Sequence, residues 1–393
     1  MKNIAIVAIC DFLSNPNGGE VFLLNNLLSE EIDAPVKYFL IGMTFDETVQ
    51  VGTWQKVTIG NNIYDFFPIV KVLKDKEKTR IPFRLRCVQG LKKYWKKINS
   101  EIQIDEWYIH SAELGIPFYK KKDIPIVYHV HGDPSQTMAI SRFPLFRTKL
   151  WTNLYLRIIR RTIYRSRKII WAAERSKNLY LQKQPKMQKI VESKSCVVHS
   201  SFDTKLRIDN ELSLNLNSER KHLITVGRLS RVKHIDFLID VLYRLLEKNE
   251  DVDLIVCGDG EEKDFLKQYA NKLGIGDKVI FLGAIDRPTL ATALNQSELF
   301  LFASENEAMS LVILESLYMG TPVVSTDVGD IPYAVKEGYT GKLVDSYNIE
   351  AYVAAVIEML NLGKAVYANN CKTMAMNFTP KKMAENVARE LLL

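Results

Sequence analysis

The chain is poor in cysteine: its 393 residues hold only Cys10, Cys87, Cys196, Cys257 and Cys371, widely scattered and with no CxxC spacing. An odd, dispersed set argues against a disulfide frame or a cysteine zinc site, and fits reduced cytosolic thiols. No apolar run approaches the roughly 18 residues that a membrane span needs. GxGxxG, P-loop and GxSxG motifs are all missing. Dinucleotide binding, P-loop phosphate binding and the hydrolase elbow therefore lose their usual signals. The six histidines show no metal-ligand spacing, so no metal is expected. Met1 to Cys10 runs straight into a strand-like segment without a secretory cleavage site, and a cytoplasmic protein is expected.

What is present is a globular composition, 47% hydrophobic and 25% charged, with 19 Gly and 13 Pro. The net charge of +7 conceals a split. Residues 1–200 carry 32 Lys and Arg against 18 Asp and Glu, and residues 201–393 carry 21 against 28. A basic half and an acidic half imply different partners for each. Short apolar runs alternate with helix-period stretches, the signature of parallel βα units. Strands are expected near 3–9, 36–41, 106–110, 124–130, 168–172 and 195–199. A second set is expected near 222–227, 252–257, 278–282, 298–302, 322–325 and 342–344. This predicts an α/β protein of two Rossmann-like doubly wound domains, 1–200 and 201–378, the boundary falling in the polar stretch Ser201–Lys221. Thr379-Pro380 opens a final helix over 379–393.

Two helices hold much of the first half's charge. Over Arg84–Ile98 the residues Cys87, Val88, Leu91, Tyr94, Trp95 and Ile98 share one face, and Arg86, Lys92, Lys93, Lys96 and Lys97 take the rest. Over Lys149–Arg165 the apolar stripe is Trp151, Leu154, Tyr155, Ile158, Ile159 and Ile163, opposite Arg157, Arg160, Arg161 and Arg165. Each is either a core helix with a solvated face or part of a surface for anionic headgroups or a pyrophosphate-linked acceptor.

Four constellations carry chemistry. Glu307-Ala308-Met309-Ser310-Leu311, with Glu315 beyond, follows the strand Leu299–Ala303 and places Glu307 in a strand-to-helix loop at a sheet's carboxyl edge. With the helix expected from Met309, the N–H groups of Met309, Ser310 and Leu311 suit phosphate or sugar oxygens. Glu315, two turns along an apolar helix, is either a hydroxyl-binding carboxylate or a salt-bridged surface residue. Gly227-Arg228-Leu229-Ser230-Arg231-Val232-Lys233 ends another strand, where Arg228 and Lys233 could neutralise a diphosphate or merely form an exposed basic loop. Asn17-Gly18-Gly19-Glu20 allows close backbone approach after the first strand. His129-Val130-His131-Gly132-Asp133 forms a polar cluster at a strand end. Asp251-Val252-Asp253 precedes its strand and reads as turn chemistry.

Together and in this order, the four segments resemble glycosyltransferase family 4, the group 1 glycosyltransferases of the GT-B fold. Its E-x7-E motif is similar to Glu307 to Glu315, its GR-L-x-x-x-K element to Gly227, Arg228, Leu229 and Lys233, its GG loop to Gly18-Gly19, and its HG element to His131-Gly132. The resemblance implies two domains facing a central cleft, an N-terminal acceptor domain and a C-terminal nucleotide-sugar domain, with the last helix crossing back to the first. It implies a retaining, metal-independent transfer from a UDP- or GDP-sugar to a glycan or lipid-linked acceptor in bacterial surface-polysaccharide synthesis. Arg228 and Lys233 would stabilise the diphosphate, and Glu307 and His131 would contact the donor sugar. Glu315 would hold the ribose, residues 309–311 would bind donor oxygens, and Gly18-Gly19 would let the first domain close on the diphosphate. The nucleotide sugar would be a substrate, with no cofactor. The family often has Gly at Ala308 and an aromatic residue at Met309, and the linker element at Val198–Asp203 lacks its usual Gly.

The same fold also serves sugar-nucleotide epimerases and phosphorylases. A nicotinamide oxidoreductase is disfavoured without GxGxxG. Nucleic-acid binding is disfavoured because the basic faces lack a base-stacking platform. The expected partners are thus the donor, the acceptor and an anionic membrane surface at the cytoplasmic side.

Overall fold

A computed structural model describes residues 1–13, 19–72, 82–132, 148–209, 211, 212, 214, 216–305, 307–345 and 347–393. The chain divides into two compact units, Met1–Ser200 with Pro380–Leu393, and Ser201–Thr379.

The first unit is built on eight strands: β1 (Lys2–Val7), β2 (Val36–Thr44), β3 (Gln55–Ile59), β4 (Asn62–Lys71), β5 (Glu106–Ile109), β6 (Ile126–Val130), β7 (Lys168–Trp171) and β8 (Ser195–Val197). Their order is β3-β4-β2-β1-β5-β6-β7-β8, parallel except for the antiparallel β3–β4 pair. The sequence pattern placed six strands here; β3 and β4 are additional. Pro68 inside β4 removes a ladder donor, which ordinarily confines a strand to an edge. Here the register between β2 and β4 shifts at Gly42/Met43, opposite Pro68, so the missing N–H coincides with an irregularity.

Buried on both faces, β1, β5 and β6 are nearly continuous apolar runs. Trp107 lies between Trp95, stacked at 4.8 Å, and Phe118, edge-on at 5.3 Å. The final helix, Pro380–Leu392, belongs to this unit. Its Met383, Ala384, Val387 and Leu391 share an apolar cluster with Leu23, Leu24, Leu27 and Leu28 of the helix Gly19–Ser29. Lys2 Nζ donates to the Leu391 carbonyl at 2.5 Å and also pairs with the fully buried Glu106, which Arg167 grips at 2.8 and 3.1 Å.

The two basic helices run over Phe83–Glu101 and Lys149–Arg165. In the second, Tyr155, Ile159, Thr162 and Ile163 are buried, whereas Leu154, expected in the core, is exposed with Leu150 and Tyr164. Arg165 turns inward and donates to the carbonyls of Phe118, Lys121 and Ile124. Arg86 likewise turns to the Lys71 carbonyl, so neither arginine belongs to an outward basic face.

The second unit holds β9 (Lys221–Val226), β10 (Val252–Cys257), β11 (Val279–Gly283), β12 (Leu299–Phe302), β13 (Val323–Thr326) and β14 (Gly341–Val344). All are parallel, in the order β11-β10-β9-β12-β13-β14. The winding reverses between β9 and β12, and ligands of such sheets bind outside the strand ends at that reversal. Tyr352, on the helix Ile349–Leu362, is fully buried; its hydroxyl donates to the Val324 carbonyl at 2.6 Å and accepts from the Phe302 N–H at 3.0 Å. Asp253 is not turn chemistry. It lies within β10, 2% exposed, and bonds His222 of β9 at 2.6 Å.

Candidate active site

Both strands flanking the reversal in the second unit deliver a charged residue to the same point. After β9 the chain passes Gly227 and Arg228 into a tight turn, Arg231–Lys233. Backbone bonds zip this loop to the one after β10: Gly227 N–H to Cys257 O at 2.9 Å, Leu229 N–H to Asp259 O at 3.0 Å. A Cβ at Gly258, where φ is +135°, would run into the Gly227 carbonyl, so glycine is required there. After β12 the loop is tied down by Glu305 N–H to Val232 O at 3.0 Å, by Ser304 Oγ to the same carbonyl at 3.1 Å, and by Asp330 N–H to Ala308 O at 2.7 Å.

Clamped in this way, Lys233 and Glu307 form a direct, half-buried ion pair, with Lys233 Nζ also 5.3 Å above the Phe302 ring. An ammonium at the carboxyl edge of the sheet, held by one carboxylate, can exchange that partner for a diphosphate. Arg228 behaves differently. Its side chain is 73% exposed and pairs with Glu261 at 3.1 Å, so the structure does not converge it on Lys233.

The helix after β12 begins at Leu311, with Ser310 as its N-cap and Met309 buried in the loop before it. The first-turn N–H groups are therefore those of Leu311, Val312 and Ile313, two residues later than the apolar spacing suggested. Of the predicted set, Leu311 stays in the helix N-terminus, and Ser310 and Met309 precede it. Glu315 is 3% exposed and accepts from Arg287 Nη2 at 2.7 Å; Arg287 Nε also lies 3.5 Å from Asp203. Burial raises the Glu315 pKa and the Arg287 bond opposes that rise. Glu315 is thus neither a surface salt bridge nor an unengaged hydroxyl acceptor. Arg287 escaped the sequence reading, although Asp286-Arg287-Pro288 is a legible helix start, with Asp286 capping the Thr289 N–H at 3.0 Å.

In the first unit the corresponding reversal lies between β1 and β5. Gly18 falls outside the described residues, as do Asn17 and Asp133; Gly19 is the first residue of the helix Gly19–Ser29 and Glu20 follows it. His131, just after β6, meets His110, just after β5, with His110 Nδ1 and His131 Nε2 2.9 Å apart. The His131 ring stacks on His129 at 4.5 Å, and His129 Nδ1 is bonded to the Tyr108 hydroxyl. Burial, assisted by the Arg84 charge, lowers the His131 pKa to about 4, so this imidazole is neutral at pH 7. Burial also raises the Glu20 carboxyl to about 7 against the opposing charge of Arg84. Arg84 Nη1 is held at 3.2 Å by Glu113, itself reached by the Tyr155 hydroxyl at 3.4 Å. His110 and Glu113 were not picked out from sequence, and Glu20 and Arg84 were named only as members of the Gly-Gly segment and of a basic helix. Only adjacency at one sheet edge unites them.

Two parallel-sheet α/β units, each with its charged groups at the carboxyl edge, define the architecture of the GT-B glycosyltransferases. Sucrose-phosphate synthase of Thermosynechococcus elongatus shares this fold over 100% of this chain and 99% of its own, with a TM-score of 0.72 at 16% identity. HepE of Anabaena, solved in complex with UDP and glucose, does so with a TM-score of 0.67 at 19% identity, covering 99% of each chain. Residues 207–376 match the family model of the group 1 glycosyl transferases. The chain is 32% identical over 174 residues to D-inositol 3-phosphate glycosyltransferase of Mycobacterium marinum, covering 42% of this chain and 36% of that protein. The chain spans less than half the length of the curated relatives it matches first.

Proposed function

We propose that the protein is a glycosyltransferase that moves a sugar from a UDP- or GDP-sugar to a glycan or lipid-linked acceptor, with retention at the anomeric carbon, in surface-polysaccharide assembly. The observation that carries this reading is the Lys233–Glu307 pair at the β9/β12 reversal, inside the stretch that matches the family. Lys233 neutralises the leaving diphosphate and Glu307 turns to the donor sugar. The Leu311 N–H, with Ser310 and Met309 beside it, faces donor oxygens, Glu315 receives the ribose, and Arg228 adds charge from the rim. Gly18, Gly19 and His131 serve the donor from the first unit. The bond from C1 to the phosphate oxygen breaks, the acceptor oxygen bonds C1 on the same face, and the acceptor proton passes to the departing phosphate. The charge stabilisation comes from this chain's cations and N–H groups, so the donor chemistry runs without a metal. HepE's complex with UDP and glucose supports a nucleotide-sugar donor.

The helix Lys149–Arg165 supports an anionic membrane surface as the place of work. Leu150, Leu154, Arg157, Arg161 and Tyr164 recur at helical spacing and are all exposed, apolar groups interleaved with cations. Binding to anionic liposomes should weaken as salt rises.

Lys233→Met and Glu307→Gln should each keep the fold. Lys233→Met should lower kcat by about 10²–10³-fold, the scale of losing one charge-stabilising group. Near-normal transfer by both variants would sink the reading. Turnover of nucleotide sugar to a new nucleotide sugar without acceptor, or only with phosphate, would replace it by an epimerase or a phosphorylase.

A further inference from the structure

We propose that Glu20, His110 and His131 form a binding site for a divalent transition-metal ion of the Zn²⁺ class in the first unit. Glu20 lies in the first turn of the helix after β1, and His110 and His131 follow β5 and β6, the neighbouring strands of one sheet. Each offers one ligand atom, and these atoms lie within 4.8 Å of one another. Two imidazole nitrogens about 2.1 Å from a common ion sit about 3.4 Å apart at the tetrahedral angle. His110 Nδ1 and His131 Nε2 are 2.9 Å apart, so an ion between them would part the rings by about half an ångström.

One donor also lacks what an ion supplies. Glu20 Oε1 is buried with no hydrogen-bond partner, which is costly for a carboxylate oxygen. The geometry is supported from behind, since His131 stacks 6° from parallel on His129, which Tyr108 holds through Nδ1. Arg84, the nearest cation, is engaged by Glu113. A cavity of about 110 Å³ bounded by Glu20, Arg84, His110, His131 and Tyr155 leaves room for the ion and water. Two imidazoles and one carboxylate with an open fourth position are a set that zinc accepts. The site is built wholly from residues of the first unit, and an ion bound there would engage His131, which the transferase reading gives to the donor sugar.

The test uses full-length, tag-free protein stripped with EDTA and titrated with Co²⁺, followed by its visible absorption and then displaced by Zn²⁺. One equivalent of Co²⁺ should bind, and Glu20→Gln and His110→Ala should each weaken binding at least about tenfold, as loss of a ligand does. His199→Ala should leave it unchanged. Should His110→Ala fail to fold by circular dichroism, the near-isosteric Glu20→Gln decides. No one-equivalent endpoint in the wild type, or unchanged binding in Glu20→Gln, overturns the proposal.

Discussion

Replacing Arg287 by Met would strand the Glu315 carboxylate. Breaking a fully buried pair by removing one partner costs about 3–5 kcal/mol. Here Glu315 is 3% exposed but the Arg287 side chain is 44% exposed, so solvent already screens the pair and the expected cost at pH 7 falls to about 1–2 kcal/mol. The carboxyl can also take up a proton, which limits the cost to about 1.4 kcal/mol for each unit by which pH exceeds its unfolded pKa. The sign of the pH dependence follows. Burial raises this pKa in the wild type and Arg287 opposes the rise, so its removal lifts the value further. An acid whose folded pKa lies above its unfolded value destabilises the fold increasingly as pH climbs between the two. The Arg287→Met penalty should therefore be largest near pH 8 and shrink towards pH 5. In a Glu315→Gln background it should fall below about 0.5 kcal/mol, leaving only the contact with Asp203. Urea denaturation followed by far-ultraviolet circular dichroism measures this. Tryptophan fluorescence serves as the internal control, because Trp54, Trp95, Trp107, Trp151 and Trp171 all belong to the first unit. Additive costs in the double variant, or a penalty independent of pH, would refute the assignment of Glu315 as a carboxylate held by Arg287.

Tyr352→Phe should destabilise the second unit by about 1–3 kcal/mol, since it leaves the buried Val324 carbonyl and Phe302 N–H without the hydroxyl, and the same urea series reads it. Gly258→Ala should cost about 1–3 kcal/mol in strain, read by the same urea series, because it forces apart the loops after β9 and β10. An alanine variant with unchanged stability would show that these loops are not locked together.

The six strands of the second unit are legible because a strand covered on both faces is a short continuous apolar run, as Leu254-Ile255-Val256-Cys257 and Leu299-Phe300-Leu301-Phe302 are. The β3–β4 pair was hidden by Pro68, whose usual meaning is cancelled by a register shift in a partner strand far away in sequence. At the site, Lys233 and Glu307 could be named individually because each ends a readable strand. That they touch across a sequence separation of 74 depends on backbone clamps at Val232 and Ala308. The pairing of Glu315 with Arg287, and of Asp253 with His222, is a fact of strand order, which periodicity does not encode. The same holds for the triple of Glu20, His110 and His131, of which the segments themselves mark His131 but not its two neighbours in space.

The placement of Pro380–Leu392 against Gly19–Ser29 has a consequence for synthesis. A ribosome makes Leu23, Leu24, Leu27 and Leu28 near the start of translation, but the residues that cover them emerge some 350 positions later. Throughout that interval the first unit must carry an uncovered apolar stripe while the whole second unit is being made and folded. The amino-terminal half is therefore first to be translated and last to be finished, and a chaperone that shields short leucine-rich helices has its longest opportunity there.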